Sequence, residues 1–134
     1  MREILFRGKR IDGLWVEGAG ITVRESDANI LSELGGSYGL KWCQVYPETV
    51  GQYTGLTDKN GKKIFEGDII KIPDDFYEFG HNAGEIYEVY FCCGGFRLKP
   101  KYTKARGYWL EDDETVEVIG NIHDNQELLE VSHE

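Results

Sequence analysis

A chain of 134 residues with 40% hydrophobic and 29% charged side chains is sized and composed for one folded domain, which excludes a disordered or fibrous protein. No apolar run approaches the ~18 residues a membrane helix needs, and Met1-Arg2-Glu3-Ile4 lacks the apolar stretch of a signal peptide, so the expected location is cytoplasmic. The net charge is −9, and three cysteines, with Cys92 and Cys93 adjacent, make no disulfide framework.

Seventeen glycines, about 13% of the chain against an average near 7%, accompany 13% aromatic residues. With β-branched residues in short runs, that mixture predicts many short strands joined by tight turns. Ile4, Leu5 and Phe6, followed by Arg7-Gly8-Lys9-Arg10, form the first expected strand. Asp12-Gly13 is a strong hairpin signal, and Leu14-Trp15-Val16 begins the return. Residues 21–23 are a further short strand. In residues 26–34 the apolar positions Ala28, Ile30, Leu31 and Leu34 fit a short helix capped by Ser26 or Asp27. The pattern is short enough that a loop or strand stays open as the alternative. Residues 42–46 and 49–54 are expected strands on either side of Pro47.

Residues 50–72, VGQYTGLTDKNGKKIFEGDIIKI, concentrate turn chemistry. Gly51, Gly55, Gly61 and Gly67 punctuate the stretch, and Glu66 and Asp68 flank the last of them ahead of Ile69, Ile70 and Ile72. Asn60-Gly61 is a favoured tight-turn pair, which predicts a positive φ at Gly61. The segment specifies a backbone path rather than a reaction.

Beyond a loop at 73–84, residues 86–91 alternate as a strand should, although both of its faces are apolar or aromatic. Gly94-Gly95 turns the chain into a returning strand at 96–99, residues 108–110 follow, and 115–119 form the last strand. Residues 121–125 are a turn, and 126–131 can form one terminal helical turn. The expected core gathers Ile69, Ile72, Val89, Phe91, Val116 and Val118, with Tyr87 at its margin. The fold class is therefore all-β, in small barrel-like lobes with short loops and at most one or two short helices.

Three stretches carry a family resemblance: REILFRGKRIDGLWVEG at the start, PETVGQYTGLTDKNGKKIFEGDIIKI from Pro47, and VEVIGNIHDNQELL from Val116. In this order and spacing they resemble the YopX family of bacteriophage and prophage proteins. The resemblance implies SH3-like β-rolls over a single unit, 1–134, divisible into an N-terminal lobe at 1–62 and an SH3-like C-terminal lobe at 63–134. It implies an accessory protein in the cytoplasm of a bacterial host, and it supplies no catalytic residues.

The residues themselves point away from catalysis. Glu66 and Asp68 flank a glycine and are expected to bond the local backbone, with no His or nucleophile at a working distance in sequence. Glu111 with Asp112-Asp113-Glu114 lacks the alternating ligands and central glycine of a calcium loop. Cys43, Cys92, Cys93 and His81 have zinc-ligand chemistry without Cys-x-x-Cys spacing, and His123 sits in a turn. No metal, cofactor or enzymatic activity is expected.

Residues 96–109, FRLKPKYTKARGYW, interleave cations with aromatics. Arg97, Lys99, Lys101, Tyr102, Lys104, Arg106, Tyr108 and Trp109 form the candidate interaction surface. Such a mixture suits single-stranded nucleic acid, with aromatics stacking bases and cations tracking phosphates. It equally suits an edge strand protected by Lys and Arg. The net charge of −9 opposes a polyanion and favours the protein reading. Residues 97–106 hold five cations and no acid, whereas 111–134 hold nine acids and no Lys or Arg. This complementarity predicts self-association, with the first segment of one subunit near the second of another, or intramolecular pairing of the same segments. The expected partners are a second copy or a phage or host protein. Nucleic acid is the alternative, and acidic mimicry of nucleic acid or an unrecognised enzyme the third reading.

Overall fold

The computed structural model describes residues 3–32, 39–71, 86–92, 94–100, 108–109 and 116–129, with residues 100, 108, 109 and 129 by backbone alone. Runs of β-branched and aromatic residues between turn formers become strands β1 (Phe6–Lys9), β2 (Trp15–Gly18), β3 (Gly20–Val23), β4 (Ala28–Ser32), β5 (Lys41–Val45) and β6 (Gly51–Thr57). β7 (Lys63–Phe65), β8 (Asp68–Lys71), β9 (Ile86–Cys92), β10 (Gly95–Pro100), β11 (Tyr108–Trp109) and β12 (Glu117–Asn121) complete the set. Two single 3-10 turns, Pro47–Thr49 and Gln126–Leu129, are the helical elements among the described residues. Every described strand pairing is antiparallel, which places the chain in the all-β class. Among the described residues the sheets do not close on themselves, so open antiparallel sheets stand where the sequence predicts barrel-like lobes. Among the described residues no helix is long and apolar enough to cross a membrane.

The chain divides into two compact units, Met1–Gly55 and Leu56–Glu134. In the first, the Asp12-Gly13 hairpin forms as its sequence predicts. Gly13 has φ +90°, Arg10 N–H donates to the Leu14 carbonyl at 2.8 Å, and Asp12 Oδ1 accepts from Leu14 N–H at 3.1 Å. β1 pairs with β2 on one side and with the start of β6 on the other.

A second sheet runs β3-β4-β5, and its central strand replaces the short helix expected over 26–34. Within β4, Ala28, Ile30 and Ser32 are buried and Asn29 and Leu31 half-buried, a period of two rather than 3.6. Paired neighbours on both edges make the strand the better solution for Ile30, a β-branched residue with partners at Ile21 and Cys43. Val16, Ala28, Ile30, Cys43 and Val45 make the core of this unit, flanked by Phe6, Ile21 and Val50. The packing admits no side chain at Gly18, where a Cβ would collide with the Leu31 carbonyl and approach Ile30.

The second unit is built on a sheet in the order β11-β10-β9-β8-β12. Its core comprises Ile64, Ile70, Tyr87, Val89, Leu98, Val116 and Val118, with Leu56 against it. Val89, Val116 and Val118 lie in the core as expected, and Ile69 is also fully buried. Two expectations are corrected. Tyr87 sits at the centre and is fully buried, while Phe91 is 53% exposed. Phe91 lies at the hairpin end of β9, two residues past Val89, and its ring meets the cross-strand Phe96 edge-on at 5.2 Å. Ile72 falls outside the described residues.

Candidate interaction surfaces

β10 carries the first part of the cationic segment. Its alternation buries Phe96 and Leu98 and turns Arg97 and Lys99 to the opposite face, opposite Tyr90 and Glu88 of β9. Burial raises the Glu88 carboxyl above its ordinary pKa, and the nearby Lys99 ammonium only partly reverses the effect. The structure therefore brings Arg97 and Lys99 together on one face and tempers them with an acid. Tyr108 and Trp109 form β11, with Arg97 opposite Trp109 and Leu98 opposite Tyr108. Lys101, Tyr102, Lys104 and Arg106 lie outside the described residues, as do six of the nine acids in the segment expected to meet them.

Within residues 58–68, Asp58 and Asp68 accept hydrogen bonds from the backbone. Asp58 is 3% exposed, and its Oδ1 accepts the N–H groups of Asn60 at 2.8 Å and Lys62 at 2.9 Å. Its Oδ2 accepts Val118 N–H at 3.0 Å. Burial pushes this carboxyl up, but those three backbone donors and the Lys62 charge outweigh it, so the pKa lies below the ordinary value of 3.8. Gly61 has φ +79°, as the Asn60-Gly61 pair predicts. Asp68 likewise bonds locally, with Oδ2 accepting Phe65 N–H at 2.7 Å. His123 is a turn residue whose N–H donates to Asn121 Oδ1 at 3.0 Å.

Another surface lies in the first unit. Tyr46 N–H donates to the Lys9 carbonyl at 2.8 Å and Arg10 bridges Val45, but the chain then turns through the β1–β2 hairpin. Beyond that bridge no described strand pairs with the outer edge of β5. A groove of about 520 Å³ follows it, lined by Arg10, Ile11, Asp12 and residues 41–44. Arg10 and Asp12 neutralise each other at 2.9 Å across one wall. Two of the groove's lining side chains are exposed and apolar, Ile11 at 66% and Trp42 at 49%, and Leu40, next in the chain to Lys41, is 61% exposed. Among the described residues no group of three His, Cys, Asp or Glu side chains is placed to hold a metal ion. Cys43 is a buried free thiol, and Cys92 is half-buried.

A family model described as YopX protein matches residues 5–130. The chain belongs to the YopX family. Within solved structures, the crystal structure of protein EF1440 from Enterococcus faecalis is similar at 23% identity and a TM-score of 0.56, covering 97% of this chain and 100% of that one. At that identity the likeness speaks for the fold alone. No curated protein matches.

In this YopX-family chain the cationic–aromatic stretch 96–109 stands out in the sequence, whereas the β5 groove does not. A signal was present. Cys43 and Val45 occupy the inward parity of the strand, yet the outward parity carries Trp42, with Leu40 and Tyr46 just beyond its ends. An apolar residue set on the face that should be polar marks a surface awaiting cover.

Proposed function

We propose that this YopX-family chain is a non-enzymatic protein-binding or self-assembling β module of a phage or prophage, acting in the host cytoplasm. The observation that carries the reading is the outer edge of β5, which no described strand pairs and which exposed Ile11, Leu40 and Trp42 border. An unpaired strand edge beside apolar side chains is a template for another strand. The runner-up reading is a single-stranded nucleic-acid module using 96–109, supported by Arg97 and Lys99 sharing a face with Tyr90. Glu88 on that same face and a net charge of −9 weigh against it.

Fluorescence anisotropy with labelled single-stranded DNA at low salt separates the two. The protein reading expects no saturable binding at micromolar protein. Micromolar binding that weakens steeply as salt rises would replace it with the nucleic-acid reading.

A further inference from the structure

The open edge of β5 has a defined polarity. Tyr46 N–H points outward to Lys9, and antiparallel alternation then directs the backbone groups of Gln44 and Trp42 to the same outer edge. Lys41, Cys43 and Val45 face their partners Ser32, Ile30 and Ala28 in β4. The Arg10–Val45 bridge, flanked by the Tyr46–Lys9 bond, engages the Gln44 carbonyl with Ile11 N–H, so among the described residues the edge is offered by Trp42 and the Gln44 N–H.

We infer that a second copy of this chain docks on that edge, β5 against β5 in antiparallel register about Trp42. The inference rests on the protein-binding reading above and names its surface and occupant. With Trp42 opposite Trp42 of the second copy, Lys41 faces Cys43 and Leu40 faces Gln44, so no like charges stand directly opposite each other. Outward-facing Trp42 groups then exchange both backbone bonds as a hydrogen-bonded pair. Leu40 of the second copy arrives at Gln44, beside Ile11 in the groove, which covers two of the most exposed apolar side chains of the unit.

Charge selects the same contact. Residues 1–55 carry six basic and seven acidic side chains, whereas 56–134 carry nine and seventeen. Copies meeting through the first unit set near-neutral surfaces together, while contact between second units sets −8 against −8. Pairing β5 with the other edge strand, β3, would leave edges free and propagate without end. β5 against β5 is self-complementary and closes as a dimer.

The test is amide hydrogen exchange, resolved at Trp42 and Gln44, over a range of protein concentrations, read beside light scattering. The expected result is slowing of both amides on the order of tenfold as the dimer forms. Trp42→Lys, on a half-exposed side chain, should return the mass to the monomer with the thermal melt unchanged. Gln44→Pro, which removes one outward N–H, should weaken the dimer independently. A dimer that survives Trp42→Lys, or whose Trp42 and Gln44 amides exchange at a concentration-independent rate, overturns the β5 contact and leaves the self-assembly reading standing. A monomer that binds a different protein also overturns the contact and leaves only the protein-binding reading standing. A monomer that binds DNA and no protein removes both.

Discussion

Asp58 and Val118, sixty residues apart in sequence, are joined by a hydrogen bond from the Val118 N–H to the Asp58 carboxylate at 3.0 Å. The other oxygen of the same carboxylate holds the 58–62 turn through Asn60 and Lys62. A second tie runs alongside, from Lys59 N–H to the Val116 carbonyl at 2.9 Å. One side chain thus fixes a tight turn and anchors the approach to the last strand of the second unit.

Asp58→Ala should be among the most damaging substitutions in that unit. It leaves three backbone donors without their acceptor, the Val118 N–H in a buried position, and the expected loss is about 2–4 kcal/mol. Asp58→Asn keeps one acceptor oxygen and should lose less. Urea unfolding would show the midpoint falling at constant slope, and an unchanged midpoint would mean the three contacts contribute nothing.

The same group sets an acid limb. Its folded pKa lies below 3.8, so its stabilisation is complete above that value and is lost as pH falls through the lower folded pKa. Glu88 works in the opposite direction. Its folded pKa lies above 4.5, so its contribution is present below that value and is lost as pH rises. The stability gap between wild type and Asp58→Ala should therefore narrow below pH 3.8, while Glu88→Gln should lessen the loss above pH 4.5. Urea titrations across the acid range check both, and a gap independent of pH would show that Asp58 keeps its charge state on unfolding.

Gly61→Val isolates backbone strain. A Cβ at Gly61 meets nothing within 4 Å, so the positive φ is the main obstacle to a larger residue. The expected cost is about 1–2 kcal/mol, with Gly61→Asn milder because Asn tolerates that region. A thermal melt unmoved by valine would show that the turn has relaxed into another form.

Gly18→Ala tests a close approach of chains instead. Its Cβ would meet the Leu31 carbonyl, a backbone atom of the central strand that cannot rotate aside. A loss of about 2 kcal/mol or more is expected. A melt within a degree of wild type would mean that β2 and β4 separate without penalty.

What the sequence revealed and what it hid have physical causes. Local rules were enough for Gly61, for Asp68 bonding back to Phe65, and for the 3-10 turn at Gln126–Leu129, because each depends on residues within a few positions. Asp58 looked like ordinary turn chemistry, since nothing nearby signals a donor arriving from Val118. The choice of strand at Ala28–Ser32 came from neighbours on both edges, which override a weak helical spacing. Alternation put Val89 inward correctly but could not tell that Phe91 had run past the core. The β5 groove was hidden for a related reason, because it exists only where the β1–β2 hairpin turns away from β5.

The central claim is that this chain assembles through protein contacts, and light scattering over a range of concentrations and salt tests it most directly. The account predicts a mass above that of the 15.3 kDa chain, rising with concentration and changing little with salt if apolar and backbone contacts at β5 dominate. An assembly that dissolves as salt rises would instead favour pairing of the cationic 97–106 segment with the acidic 111–134 segment. A mass of one chain under every condition, with no protein partner recovered, would contradict the account.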